Sequence, residues 1–197
     1  RQDGRFNPGE AIPSKIVGKL LSSCVDKIIT FDPHIHRWKS LNDIFSITAV
    51  KLTVNSLISD YIKNHFRNEI IVGPDGESSQ WAKRIADHIG AESTVFEKKR
   101  LSSWKVVVRM ANPIAVKGKD IVIVDDIIST GHTVIEAVKE LRKHGARMIS
   151  VICIHAIFVE KAYEKLKKAG VNEIISTNCI EHKTNKIDVA PLLLQEL

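Results

Sequence analysis

The sequence is poor in aromatic residues, has few cysteines and contains no long apolar run. Aromatics are 6% of 197 residues, and no segment interleaves Lys or Arg with Phe or Tyr as single-strand binders do. The formal charge of +6 therefore does not point to nucleic acid as a partner. The longest strand-like apolar stretch, Met148 to Ile154, falls well short of the ~20 residues needed to cross a bilayer, so no membrane span is expected. Cys24, Cys153 and Cys179 are odd in number and widely spaced, and two of them sit in apolar surroundings where cysteine acts as a small hydrophobe. A reducing, cytoplasmic setting is the natural expectation. The chain opens at Arg1 without Met, a basic n-region or an apolar h-region, and reads as starting at a truncation point. Neither G-x-x-x-x-G-K-[ST] nor G-x-G-x-x-G occurs, and there is no internal repeat, low-complexity tract or Pro/Gly-rich linker.

What is present is enough apolar residue, 44% with 26% charged, to bury a substantial core. The positive charge also suits phosphorylated metabolites. Short β-branched runs alternate with helical patterns. Lys27 to Phe31, Glu69 to Gly73, Ser93 to Phe96, Asp120 to Val124, Met148 to Ile154 and Glu173 to Ser176 read as strands. Most are nearly continuous apolar runs, as strands covered on both faces require. Helices are predicted over Leu52 to His65, Ser78 to Ile89, from near Thr133 to before Gly145, and over Val159 to Ala169. The fold class that follows is α/β with a parallel sheet.

The most informative stretch is DIVIVDDIISTGHT, Asp120 to Thr133. A buried strand delivers Asp125 and Asp126 to its carboxyl end, and a Ser-Thr-Gly-His-Thr turn opens the next helix. Backbone N–H groups of such a turn, with the unsatisfied donors of a helix start, form an anion cradle, to which Ser129, Thr130 and Thr133 add hydroxyls. The two carboxylates can accept bonds from sugar hydroxyls and hold Mg²⁺ through water. A sugar phosphate fits that chemistry. The plainer reading is a strand ending in Asp before a capped helix.

VDDIISTGHT resembles the motif shared by phosphoribosyltransferases and ribose-phosphate pyrophosphokinases, and four further segments resemble the pyrophosphokinases in particular. These are RQDGRFNP at Arg1, FDPHIHR at Phe31, VGPDGES at Val72 and EKKR at Glu97. Similarity extends to IHAIF at Ile154 and KIDVAPLL at Lys186. The resemblance implies a phosphoribosyltransferase-like domain over residues 46–180, the remnant of a second similar α/β domain over 1–45, and a tail over 181–197 that packs on the first domain. The family's portion ahead of the Arg-Gln-Asp segment would be missing.

The same resemblance implies that Asp125, Asp126, Ser129, Thr130, Gly131, His132 and Thr133 bind ribose 5-phosphate. Arg1, Gln2 and His34 would meet ATP, with Mg²⁺ at His34 and Asp75. Lys98 and Arg100, on what would be a mobile loop, would be catalytic. Homo-oligomerisation is also implied. His132 stands where the pattern usually has Gly, and could donate to the phosphate or point to solvent. The implied activity is transfer of a pyrophosphoryl group from ATP. A phosphoribosyltransferase and a catalytically silent relative are the alternatives; the first lacks Arg-Gln-Asp and Asp-Pro-His segments, and the second would be expected to lose the loop cations. Each segment alone also has an ordinary reading: a basic terminus, loop histidines, turn chemistry at Pro74 to Gly76, or a solvated charge run.

Overall fold

The computed structural model describes residues 2–5, 7–35, 37–102 and 105–196, with residues 98–102 and 105–108 described for the backbone alone. The chain forms two compact units. The first comprises Arg1–Thr53 with Ala190–Leu197, and the second Val54–Val189.

In the first unit, α1 (Pro13–Ser22) begins with Pro13 in its first turn, where a missing N–H costs nothing. Its buried Gly18 lies against the Ile44 carbonyl and side chain with no room for a Cβ. β1 (Lys27–Phe31) and β2 (Thr48–Leu52) run parallel, in register from Lys27 opposite Thr48 to Phe31 opposite Leu52. A 3₁₀ turn at Leu41–Asp43 between them is closed by a capping box, with the Ser40 N–H donating to Asp43 Oδ2 at 3.1 Å. α6 (Ala190–Leu193) also belongs to this unit.

The pattern reading misses α1, β2 and three other short elements. Thr48–Leu52 carries no strict alternation, and the helix expected from Leu52 begins at Asn55. Because β2 pairs with β1, the division between units falls after Thr53 rather than at residue 46. Of the tail expected at 181–197, only Ala190–Leu197 joins the first unit, since β9 pairs within the second.

The second unit is a seven-stranded sheet in the order β5-β4-β3-β6-β7-β8-β9. Its strands are β3 (Glu69–Gly73), β4 (Ser93–Ser102), β5 (Lys105–Met110), β6 (Asp120–Ile128), β7 (Met148–Ala156), β8 (Glu173–Thr177) and β9 (Asn185–Ile187). All neighbours pair in parallel except β4 and β5. The continuous apolar runs are explained by cover on both faces. Ile70, Val72, Ile121, Ile123, Ile149 and Val151 pack with Val134, Ala137, Val138 and Leu141 of α4 (His132–Lys143) and Leu166 of α5 (Ala162–Lys168). The alternate residues Ile71, Val122, Val124, Ile152 and Ile154 are equally buried, and period-2 geometry turns them to the other face. α2 (Asn55–His65) and α3 (Ser79–Ile89), in contact with one another, supply Ile58, Ile62, Ala82, Ile85 and Ala86 to the core. No helix among the described residues is long and apolar enough to cross a membrane.

The strand order puts the candidate site where it is. From β3 the chain passes to β4 and β5 on one side, then returns through β6 to the other side of β3. Beyond the carboxyl ends of β3 and β6 the crossovers diverge and leave a crevice, the place where open α/β sheets bind ligands.

Gly73, the last residue of β3, has no room for a side chain: a Cβ there would lie 2.8 Å from both Ser78 Oγ and Val95 Cγ1. Gly73→Ala is therefore expected to destabilise the second unit by about 1–3 kcal/mol, the usual scale of overpacking. Chemical denaturation checks this; a midpoint equal to that of the parent would contradict it.

Candidate functional site

At the end of β3 the chain must reverse into α3, and Asp75 makes the turn. Its Oδ1 accepts the Glu77 N–H at 3.0 Å and the Ser78 N–H at 3.3 Å, while the Ser78 hydroxyl donates to the Asp75 carbonyl at 2.8 Å. Ser78 is buried, so the turn is pinned from beneath. Among the described residues the Asp75 side-chain bonds fall on Oδ1, and Oδ2 could take a water or a hydrated cation.

On the adjacent strand, β6 extends beyond the expected Val124 to Ile128 and carries both acids. Each folds onto the next amide: the Asp126 N–H donates to Asp125 Oδ1 at 3.1 Å, and the Ile127 N–H to Asp126 Oδ1 at 2.8 Å. Asp126 is 4% exposed. Burial pushes the Asp125 carboxyl well above the ordinary carboxylate range, and the charges of Asp126 and then Asp75 push it further. The Asp126 N–H opposes the shift without cancelling it. Behind them Cys153, paired with Asp125 across β7, is fully buried. Burial and the same two acids push its thiol far up, so it is a neutral packing group.

Beyond Ile128 the turn bends through Gly131, whose φ of 73° lies in the left-handed region that costs glycine nothing. A Cβ there would also come within 3.5 Å of Ala162 and Leu166 on α5. Gly131 is the N-cap of α4 and lacks a capping side chain, so the first N–H groups of a 12-residue helix have no side-chain acceptor from that position. They face a cavity of about 150 Å³ lined by Asp125, Ile127 and the Ser129–Thr133 turn. That is below the range of whole-ligand pockets, roughly 300–1,000 Å³, and suits one phosphate group with part of its sugar. His132 is exposed and turned along α4, with Nε2 3.1 Å from Glu136 Oε1. Among the two options open from sequence, this is the solvent-facing one.

Asp75, Asp125, Asp126 and the Ser129–Thr133 turn are thus brought together. Gln2 and His34 belong to the first unit, where Gln2 Nε2 donates to the His34 carbonyl at 2.6 Å. Arg1 and His36 lie outside the described residues, as do the side chains of Lys98 and Arg100. The backbones of Lys98 and Arg100 run in β4, paired with Val108 and Val106 of β5, in an antiparallel ladder where a loop is expected from sequence. Among the described residues no three His, Cys, Asp or Glu side chains form a direct metal cage. Hydrated Mg²⁺ held by one or two carboxylates and a substrate phosphate needs no such cage, and the clustered acids fit it. Sequence reasoning assigns no role to Phe158, although its N–H donates to the Ile128 carbonyl at 3.0 Å; a left-handed phenylalanine leaves no mark in sequence.

The raised Asp125 carboxyl makes a signed prediction. Its folded pKa lies above its unfolded one, so its contribution to stability is fully present below the unfolded value of about 4 and is lost as pH rises through the folded value. Asp125→Asn should therefore raise the melting temperature at neutral pH, roughly 2–4 °C for each kcal/mol, with the gain vanishing toward about pH 4. The same substitution should weaken ribose 5-phosphate binding. Calorimetry across pH reads both; a gain over the parent no larger at neutral pH than at acid pH would contradict the assignment.

Residues 40–192 match the phosphoribosyl transferase domain family. The chain is 40% identical to the ribose-phosphate pyrophosphokinase of Pyrococcus furiosus, over all of this chain and 69% of that protein. It is 37% identical to that of Methanothermobacter thermautotrophicus, over 98% of this chain and 66% of that protein. It spans about two thirds of the length of these curated relatives. Phosphoribosylpyrophosphate synthetase from Mycobacterium smegmatis superposes with a TM-score of 0.84 at 26% identity, covering 99% of this chain and 65% of that one. Adenine phosphoribosyltransferase from Saccharomyces cerevisiae shares the fold alone, with a TM-score of 0.52 at 16% identity over 62% of this chain and 75% of that one. With a phosphoribosyl transferase domain over most of its length and pyrophosphokinase relatives aligned along all of it, the chain belongs to the ribose-phosphate pyrophosphokinase family.

Proposed function

We propose that this chain carries the ribose 5-phosphate site of a ribose-phosphate pyrophosphokinase, which makes phosphoribosyl pyrophosphate and AMP from ATP and ribose 5-phosphate. The observation that supports this reading is that Asp125, with Asp126 next to it on β6, lines the Ser129–Thr133 cavity at the head of α4. In the reaction the C1 oxygen attacks the β-phosphorus of ATP and loses its proton. The bond from that phosphorus to the α,β-bridging oxygen breaks, and AMP departs with that oxygen.

Asp125 and Asp126 accept bonds from the ribose hydroxyls. The turn N–H groups and the hydroxyls of Ser129, Thr130 and Thr133 hold the 5-phosphate, with Gly131 giving the backbone its close approach and His132 at the rim. Such positioning supplies a large part of the rate in phosphoryl-type transfers, where the protein does little covalent chemistry. Lys98 and Arg100 neutralise charge on the migrating group. Arg1, Gln2 and His34 meet ATP. Mg²⁺, for which His34 and Asp75 are the proposed ligands, supplies further neutralisation of the phosphates when bound. A cytoplasmic homo-oligomer completes the proposal.

Two measurements test it. AMP and phosphoribosyl pyrophosphate should form from ATP, Mg²⁺ and ribose 5-phosphate with this chain, alone or complemented by the part of the Pyrococcus furiosus relative outside the match. Silence in both preparations, with ribose 5-phosphate still bound, would favour the catalytically silent relative. In an active preparation Lys98→Ala should lower kcat by roughly 10²–10³, the scale of losing one donor to developing charge. Its ribose 5-phosphate affinity should stay within about twofold, and equal loss of both would sink the role given to Lys98.

A further inference from the structure

Immediately beyond β7, the chain enters the left-handed region at three non-glycine residues, Phe158 (φ 45°), Glu160 (φ 53°) and Lys161 (φ 61°). A Cβ makes that region unfavourable, and such residues persist only where their surroundings over-determine them. The surroundings here lead to the phosphate turn. β6 and β7 stay paired to their last register partners, Ile128 and Ala156. The Phe158 N–H then donates to the Ile128 carbonyl at 3.0 Å, one residue before Ser129. α5 starts at Ala162, and its Ala162 and Leu166 lie beside Gly131, where a Cβ would be in van der Waals contact with both at 3.5 Å.

The phenyl ring is anchored as firmly as the amide. It meets His182 edge-on, with centroids 4.9 Å apart, and Tyr163 at 6.4 Å. His182 is itself fixed: Nδ1 lies 2.8 Å from Thr184 Oγ1 and accepts the Thr184 N–H at 3.3 Å. Thr184 Oγ1 is 2.7 Å from Ser176 Oγ of β8, both residues being buried. Burial and the neighbouring Lys183 push His182 below its ordinary value, against the smaller pull of Glu164. A neutral imidazole with Nδ1 as acceptor matches these bonds.

We propose that Phe158 is a positioning residue for the phosphate turn, its left-handed amide holding the Ile128 carbonyl and its ring locked on His182. It acts through Ile128 and does not touch the ligand. What it sets is the angle at which the chain leaves β6, and so the aim of the Ser129–Gly131 N–H groups. This inference rests on the reading of the turn as a ribose 5-phosphate site.

The test is ribose 5-phosphate affinity by calorimetry, with melting temperature measured alongside. Phe158→Ala should weaken binding about tenfold, within the range by which small misplacements reduce function. Phe158→Tyr keeps the ring and should stay within about twofold of the parent. His182→Ala should weaken binding in the same direction by less. Arg142→Met is the stability control. Arg142 bonds Ala146, Arg147, Gly170 and Asn172 near the far end of α4, so its loss should lower the melting temperature and leave affinity unchanged.

Parental affinity in Phe158→Ala would overturn the inference, and so would an equal loss in Arg142→Met, which would mark general softening. If Phe158→Ala does not fold, Phe158→Leu keeps the apolar volume without the edge contact to His182, and parental affinity there overturns it equally. A parent chain that binds no ribose 5-phosphate overturns the site reading and this inference with it. A parent that binds while Phe158→Ala matches it overturns this inference alone.

Discussion

Everything at the carboxyl end of the sheet answers to one electrostatic constraint: Asp125 is buried beside two further acids, Asp126 and Asp75, and burial first and their charges second hold its carboxyl well above the ordinary carboxylate range. Like charges in a low-dielectric setting repel far more than in water, and the amide donors that each acid accepts from the following residue oppose that repulsion only in part. Such a cluster is a net cost to the empty fold. It is tolerated because the sheet beneath it is a continuous apolar layer, from Ile121 and Val122 on β6 to Val151 and Ile152 on β7, buried on both faces. The core holds the strand end rigid, and the strand end holds the acids together. On the ribose 5-phosphate reading, a ligand with hydroxyl donors or a hydrated divalent cation would offset part of that repulsion.

The phosphate turn depends on the same frame from the other side. Its glycine is required by a left-handed φ, at a point where α5 lies within contact distance. The helix it opens, α4, is clamped by its own apolar stripe, Val134, Ala137, Val138 and Leu141, so the N–H groups at its start cannot drift. Rigidity of this kind is what an anion cradle needs, since donors that must be reorganised on binding give back part of the energy they supply. The left-handed residues beyond β7 belong to the same economy: each costs of order 1–3 kcal/mol, and they stand directly beside the turn.

Much of this was legible in the residues, and the parts that were not have physical reasons. Strands β3, β6, β7 and β8 could be read because double-faced cover demands unbroken apolar runs. Asp125, Asp126 and the turn were readable because polar residues so placed, at the end of an apolar strand, have few structural uses. β5 and β9 were not, since an edge strand is under weaker compositional demand. α1 went unread although Pro13 and the spacing of Ile16 with Leu20 carried a helical signal, and β2 was lost because TAVKL has no alternation to separate strand from helix. The contribution of Phe158 could not have been read at all. It lies in a backbone angle and a hydrogen bond to a residue thirty positions away, neither of which changes composition or periodicity.

His132 shows how a departure from a familiar pattern can leave a site's backbone geometry intact. A glycine at that position would add freedom to the first residue of α4, whereas histidine removes it and lends a polar side chain to the helix surface. Because Cβ on a helix leans toward the N-terminus, the imidazole could in principle have covered the cavity. Instead its Nε2 faces Glu136, four residues on, the spacing that brings two helical side chains together. The imidazole is therefore engaged with Glu136 along the helix surface, beside the Ser129–Thr133 turn. On the ribose 5-phosphate reading, the ring would then stand at the rim of the cavity, and the backbone N–H groups of the turn would carry the phosphate.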